Sequence, residues 1–78
     1  MRIIKQIYMP LLNEGTYVRR PVVALGIGDN IYKILGTEQG LKPEDLNEEW
    51  LCPVESYVAC RIEKNINDII LVVDREVI

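Results

Sequence analysis

Seventy-eight residues make one domain and exclude a second, because fewer than about 50 residues rarely close a core of their own. The apolar complement is aliphatic and β-branched, eleven Ile, eight Val and eight Leu beside one Trp, four Tyr and no Phe, which suits the half-buried face of a sheet. The net charge of −3 divides into five basic and two acidic side chains in residues 1 to 37 and four basic and ten acidic in residues 38 to 78, a balance that argues against a general nucleic-acid binder, whose affinity comes from neutralising phosphates.

The N-terminal run MRIIKQIYMPLL has neither the uninterrupted apolar stretch nor the small-residue cleavage site of a secretory signal. No segment approaches the roughly 20 apolar residues needed to cross a bilayer, so a cytoplasmic protein without membrane contact is the expectation. Residues 2 to 9 alternate imperfectly, with Ile3, Ile7 and Met9 on one parity and Ile4 and Tyr8 on the other, and predict a strand ended by Pro10. Asn13, Glu14 and Gly15 then mark a turn, since Gly admits a positive φ and Asn tolerates it.

Residues 17 to 27, YVRRPVVALGI, read as a second strand in which Pro21 sits at an edge, a bulge or a strand start, because proline cannot donate to a ladder. Gly28, Asp29 and Asn30 form a short turn-rich connection to a third strand over residues 31 to 35, a β-hairpin. Residues 36 to 49 turn polar and acidic. Pro43 followed by Glu44 and Asp45 suits a helix start, so one short helical turn is predicted near 43 to 49, before Trp50.

Pro53 and Ser56 lead into a fourth strand, where Val58, Cys60 and Ile62 share one face and Tyr57, Ala59, Arg61 and Glu63 the other; one face is expected buried and the other wet. Residues 63 to 68, EKNIND, read as a turn. Ile69, Ile70, Leu71, Val72 and Val73 then form an unbroken apolar run, either central to a closed barrel or covered by a partner. Self-association through these five residues is therefore expected, the more so because a chain this short buries only about 60% of the surface its unfolded form exposes.

Five short strands with close turns predict a mainly β fold: a small five-stranded antiparallel, strongly curved sheet or SH3-like barrel. Cys52 and Cys60 are eight positions apart, too far along a strand rising about 3.3 Å per residue for the roughly 6 Å of a disulfide. Both are expected as reduced thiols, Cys60 in the core.

The chain has no histidine, which removes the commonest general base and neutral metal ligand and rules out Ser-His-Asp or Cys-His nucleophilic centres within one chain. Two cysteines without a CxxC spacing fall short of a structural zinc site. Glu44, Asp45, Glu48 and Glu49 read as a solvated acidic loop rather than metal ligands, and Gly26-x-Gly28-Asp29 lacks the full glycine pattern of a phosphate loop. The expectation is a non-catalytic protein with no metal and no cofactor.

Tyr17, Arg19 and Arg20 form a compact group able to grip a carboxylate, a phosphate or an acidic protein surface, because guanidinium groups bind planar anions bidentately. The alternative is an internal salt bridge from Glu14 to Arg19 or Arg20. Trp50, after a Glu-Glu pair, is either a half-exposed binding anchor or a plug for the end of a small core.

Residues 10 to 22, PLLNEGTYVRRPV, resemble a group of short bacterial proteins with a Pro-Leu-Leu, Glu-Gly-Thr, Val, Arg-Pro-Val pattern. The similarity continues through Tyr32-Lys33-Ile34-Leu35-Gly36 and from Glu48-Glu49-Trp50 to Pro53. It implies a small all-β, SH3-like protein and carries no activity. This chain departs from the pattern at Glu55-Ser56, where a glycine before the serine is usual, and at Arg19, where an aromatic residue often stands.

The function expected from these residues is protein binding, with Tyr17, Arg19, Arg20, Trp50 and Glu14 as contact candidates. The acidic loop from residue 38 to 49 suggests an alternative, an immunity or antitoxin type of protein that neutralises a basic partner by charge complementarity. A further alternative is an RNA-binding small barrel, against which the lack of a basic face weighs.

Overall fold

The computed structural model describes residues 3 to 64 and 66 to 77. Its strands are β1 (Ile3–Pro10), β2 (Arg19–Gly28), β3 (Ile31–Gly36), β4 (Tyr57–Lys64) and β5 (Ile69–Glu76), with one helical turn, α1 (Pro43–Leu46), between β3 and β4. They close in the order β1-β2-β3-β4-β5 into a barrel, the small SH3-like architecture expected. One feature corrects the all-antiparallel expectation: β1 and β5 run parallel. A meander reverses at every turn, so with five strands the first and last point the same way. Their ladder is the single register pair Tyr8 and Val72.

The β2–β3 connection is a two-residue turn, Asp29 and Asn30, both left-handed at φ 54° and 62°, the geometry whose twist matches its flanking strands. Pro21 lies opposite Tyr8 within β2, but pairing with β3 begins only at Val23. The strand has one neighbour there, as a proline requires. β1 ends at Pro10, as expected; beyond it an isolated bridge joins Leu11 to Trp50, and the Leu51 amide donates to the Pro10 carbonyl at 3.0 Å. The expected single helical turn is α1, which Asn47 closes in the left-handed conformation at φ 53°.

Inward side chains Ile7 and Met9 of β1, Val22 and Ala24 of β2, Ile34 of β3, Val58 and Cys60 of β4 and Val73 of β5 form the core, joined by Trp50 and Cys52 from the connection before β4. Both cysteines are buried and free. Burial, helped by the negative charge of Asp74, pushes the Cys60 thiol up to about 11, and burial also raises Cys52.

Two expectations for β4 need correcting. Ala59, assigned to the wet face, is buried, and the β4–β5 pairing shifts register between Ala59 and Cys60, so the simple alternation breaks there. Ile62 is 65% exposed although it keeps the parity of Val58 and Cys60. The reason is that β3 pairs with β4 only over Tyr57, Val58 and Ala59. Residues 60 to 64 and their β5 partners run on past that wall as a two-stranded arm.

The apolar run of β5 is accounted for largely by closure. Val73 packs in the core, Ile70 and Val72 are also buried within the chain, and Ile69 is exposed. Of the run, Ile69 alone keeps most of its surface exposed. Among the described residues no helix is long and apolar enough to cross a membrane.

Gly36 has φ +122°, and a Cβ there would meet the Leu41 carbonyl oxygen at 2.9 Å. Gly36→Ala is expected to cost about 1–3 kcal/mol, read from urea unfolding. A disulfide exchange reagent at neutral pH should label neither cysteine in the native protein and both at the denaturant concentration where the far-ultraviolet dichroism is lost.

Candidate functional site

Side chains alternate across a strand, so the neighbours Arg19 and Arg20 at the start of β2 leave on opposite sides. Arg20 shares the parity of Val22 and Ala24, towards the interior, and Arg19 that of Pro21, away from it. The arginine pair that looks like one patch in the sequence is thereby split into two clusters with separate partners.

Arg20 reaches Glu48 as a fork, its Nε donating to Oε1 at 3.1 Å and its Nη2 to Oε2. The same Glu48 accepts the Trp50 indole N–H at 3.1 Å. Trp50 is only 7% exposed and belongs to the core; the sheet-like contact between residues 10 to 12 and 49 to 51 holds it there, with the Leu12 amide donating to the Glu49 carbonyl at 2.8 Å. Asn13 adds a side-chain bond to Glu49 at 2.7 Å. This cluster closes one end of the barrel, and Trp50 is its plug rather than an exposed anchor.

Arg19 belongs to the second cluster, on the outer wall. Its guanidinium pairs with Glu63 of β4 and lies 5.2 Å from the centre of the Tyr17 ring, within the range of a cation–π contact. The Tyr17 hydroxyl donates to Glu63 Oε2 at 2.8 Å and accepts from Arg61 Nη2 at 2.9 Å. Arg61 also donates to Glu63 Oε2 at 2.7 Å and to the Val73 carbonyl at 3.3 Å. One carboxylate thus gathers two arginines and a tyrosine from elements more than 40 residues apart. Tyr17 remains 57% exposed, its hydroxyl end fixed and the rest of the ring facing outward.

Glu14 is exposed, and the ion pairs expected from it to Arg19 or Arg20 are made instead by Glu63 and Glu48. Strand pairing explains the exchange: β1 and β5 carry Glu63 into reach of Arg19, whereas the loop holding Glu14 turns away at Asn13 and Gly15, both at positive φ. Arg61 and Glu63 were missed in the sequence as site residues. The available signal was their i, i+2 spacing on the polar parity of β4, which places two opposite charges side by side on one face.

The electrostatics follow the contacts. The Arg20 hydrogen bond holds the Glu48 carboxyl below the usual carboxylate range, with a further contribution from Trp50; the same bond raises Arg20. For Glu63 burial is the largest single influence and acts upward, but hydrogen bonds from Tyr17, Arg61 and Arg19 outweigh it and the carboxyl is lowered. Tyr17 is raised by desolvation and by its bond to Glu63.

The acidic residues of the loop are dispersed by their contacts. Asp45 Oδ2 accepts the Lys42 amide at 2.9 Å, Glu48 serves Arg20 and Trp50, and Glu49 holds Asn13. Among the described residues no group of three or more Cys, Asp or Glu side chains is placed to hold a metal ion. Comparison with family models, curated proteins and solved structures returns no match for this chain. Its functional reading therefore rests on its own residues.

Glu48→Ala leaves the buried indole N–H without its acceptor and should destabilise the fold by about 1–3 kcal/mol at neutral pH. Because the folded pKa of Glu48 is depressed, its stabilisation is complete above the unfolded value near 4.3 and disappears as pH falls through the lower folded value. Urea midpoints measured below about pH 5 should accordingly fall less steeply for Glu48→Gln than for the wild type.

Proposed function

We propose that this protein is a non-catalytic binding module that engages a protein partner through the outer-wall cluster of Tyr17, Arg19, Arg61 and Glu63. The observation that carries this reading is the exposed Tyr17 ring beside the Arg19 guanidinium at 5.2 Å, with its hydroxyl anchored by Glu63 and Arg61. Tyrosine and arginine are the side chains that dominate binding energy at interfaces, and holding them in place before the partner arrives reduces the ordering cost of association. Arg20 and Trp50 are committed to the barrel end and act as structural supports.

The chemistry on offer suits a partner carrying a carboxylate beside an apolar group. Glu63 leaves further guanidinium N–H donors on Arg19 and Arg61, since each guanidinium has five. The apolar group would lie on the open part of the Tyr17 ring.

A second reading rests on the connection between β3 and β4, where Glu38, Glu44, Asp45 and Glu49 are exposed on a loop fixed by hydrogen bonds from the Thr37 and Gly40 amides. That ordered acidic face suits a basic partner of the toxin-neutralising kind.

Affinity capture with the wild type, Tyr17→Ala/Arg19→Ala and Glu38→Lys/Glu44→Lys separates the two. The outer-wall reading expects the first variant to weaken partner binding about 30-fold or more, a typical loss for a hot-spot pair, with its fold confirmed by circular dichroism, since Glu63 keeps Arg61 as a partner. Unchanged capture by that variant together with loss in the charge-reversed loop assigns the function to the acidic face instead.

A further inference from the structure

We infer that the barrel end carrying the β2–β3 and β4–β5 turns is a homodimer interface, covered in solution by the same end of a second copy. The strands alternate in direction, so this end gathers the start of β1, the end of β2, the start of β3, the end of β4 and the start of β5. Ile3, Ile4, Ile27, Ile62, Ile66 and Ile69 stand there, each between 44% and 100% exposed. The other exposed large hydrophobics among the described residues are leucines and Tyr17, in the opposite loops or at the far end of β3.

The exposure has a structural origin. Ile3, Ile62 and Ile69 have the parity of core residues: Ile3 that of Ile7 and Met9, Ile62 that of Cys60, Ile69 that of Val73. They point to the inside of a barrel whose hydrogen-bonded wall has stopped, because β3 leaves β4 after Ala59 and β1 pairs with β5 at the single register position of Tyr8 and Val72. Between β1 and the arm lies an open cleft of about 390 Å³, with Lys5 and Tyr8 on one side and Ile62, Ile69 and Leu71 on the other. One face of the arm is covered within the chain, with Ile70 and Val72 buried and Arg61 and Glu63 bonded to Tyr17 and Arg19, and Asn30 ties its root by donating to the Cys60 carbonyl at 2.7 Å; the other face, with Ile62 and Ile69, is open.

Area and charge select a second copy as the occupant. Ile3, Ile62 and Ile69, which share the inward parity, together with Ile66 at the turn present on the order of 500 Å², within the range of a monomer's largest apolar patch and more than half of the roughly 800 Å² each side of a standard interface buries. The charges described around them are balanced, Lys5 and Lys64 against Asp29 and Asp68. A two-fold axis places each patch on its own copy, so lysines of one protomer can face aspartates of the other. A membrane surface would call for an excess of Lys or Arg. The opposite end, with Glu38, Glu44, Asp45, Glu48, Glu49 and Glu55 against Lys33, Lys42 and Arg20, keeps a negative excess and would repel its own copy.

The test is sedimentation velocity from low micromolar to about 0.2 mM on the wild type, Ile62→Lys, Ile66→Lys and Tyr17→Ala/Arg19→Ala, each checked by circular dichroism. The expected result is a wild-type dimer, a dissociation constant raised about tenfold or more by the isoleucine variants, and a Tyr17→Ala/Arg19→Ala variant as dimeric as wild type. Ile66 is fully exposed in the turn, so its variant reports association without touching the core. A wild type that stays monomeric throughout, or a dimer indifferent to both isoleucine changes, overturns the inference. The partner capture by Tyr17 and Arg19 is unaffected by either result.

Discussion

Closure of an odd number of strands governs this molecule. The β1–β5 seam must be parallel, and it is made at one point, Tyr8 beside Val72. Above that point, towards the loops, the core is complete and contains a plug. Below it the walls separate, and apolar side chains with inward parity face solvent. The position of the seam therefore divides the barrel into an end finished by its own chain and an end left open.

The finished end depends on Glu48. A single carboxylate receives the Arg20 fork and the Trp50 indole N–H, so the loop between β3 and β4 is tied to the start of β2 and to the core together. A buried indole needs an acceptor, and a carboxylate this enclosed needs cationic donors; each requirement meets the other. Glu63 performs the corresponding task on the outer wall, where it draws Tyr17 and Arg19 from one side and Arg61 from the other. The difference lies in what remains outside: 7% of Trp50 against 57% of Tyr17.

Much of the architecture is legible in the residues. The two-residue turn at Asp29 and Asn30, the helical turn opened by Pro43, the tolerance of β2 for Pro21 and the apolar run of β5 each follow from local backbone chemistry or from period-two alternation. The candidate site is legible in part. Tyr17 and Arg19 stand out in the sequence as candidate contacts, but Arg20 and Trp50 stand out equally, and Glu14 looks like the natural counter-ion of the arginines because it is near in sequence. The exposure of Ile62 and the burial of Ala59 are invisible to alternation, since both depend on where a neighbouring strand ends and where a bulge shifts the register.

The sequence by itself determined the class of fold, the number of strands, the turns between them and the absence of histidine chemistry, because these depend on residue type and on spacings of a few positions. Only the tertiary structure decided which glutamate holds which arginine, which aromatic is core and which is surface, and which isoleucines remain uncovered. Those outcomes depend on contacts between residues 28 to 46 positions apart, brought together by barrel closure, and no local pattern encodes the register at which distant strands meet.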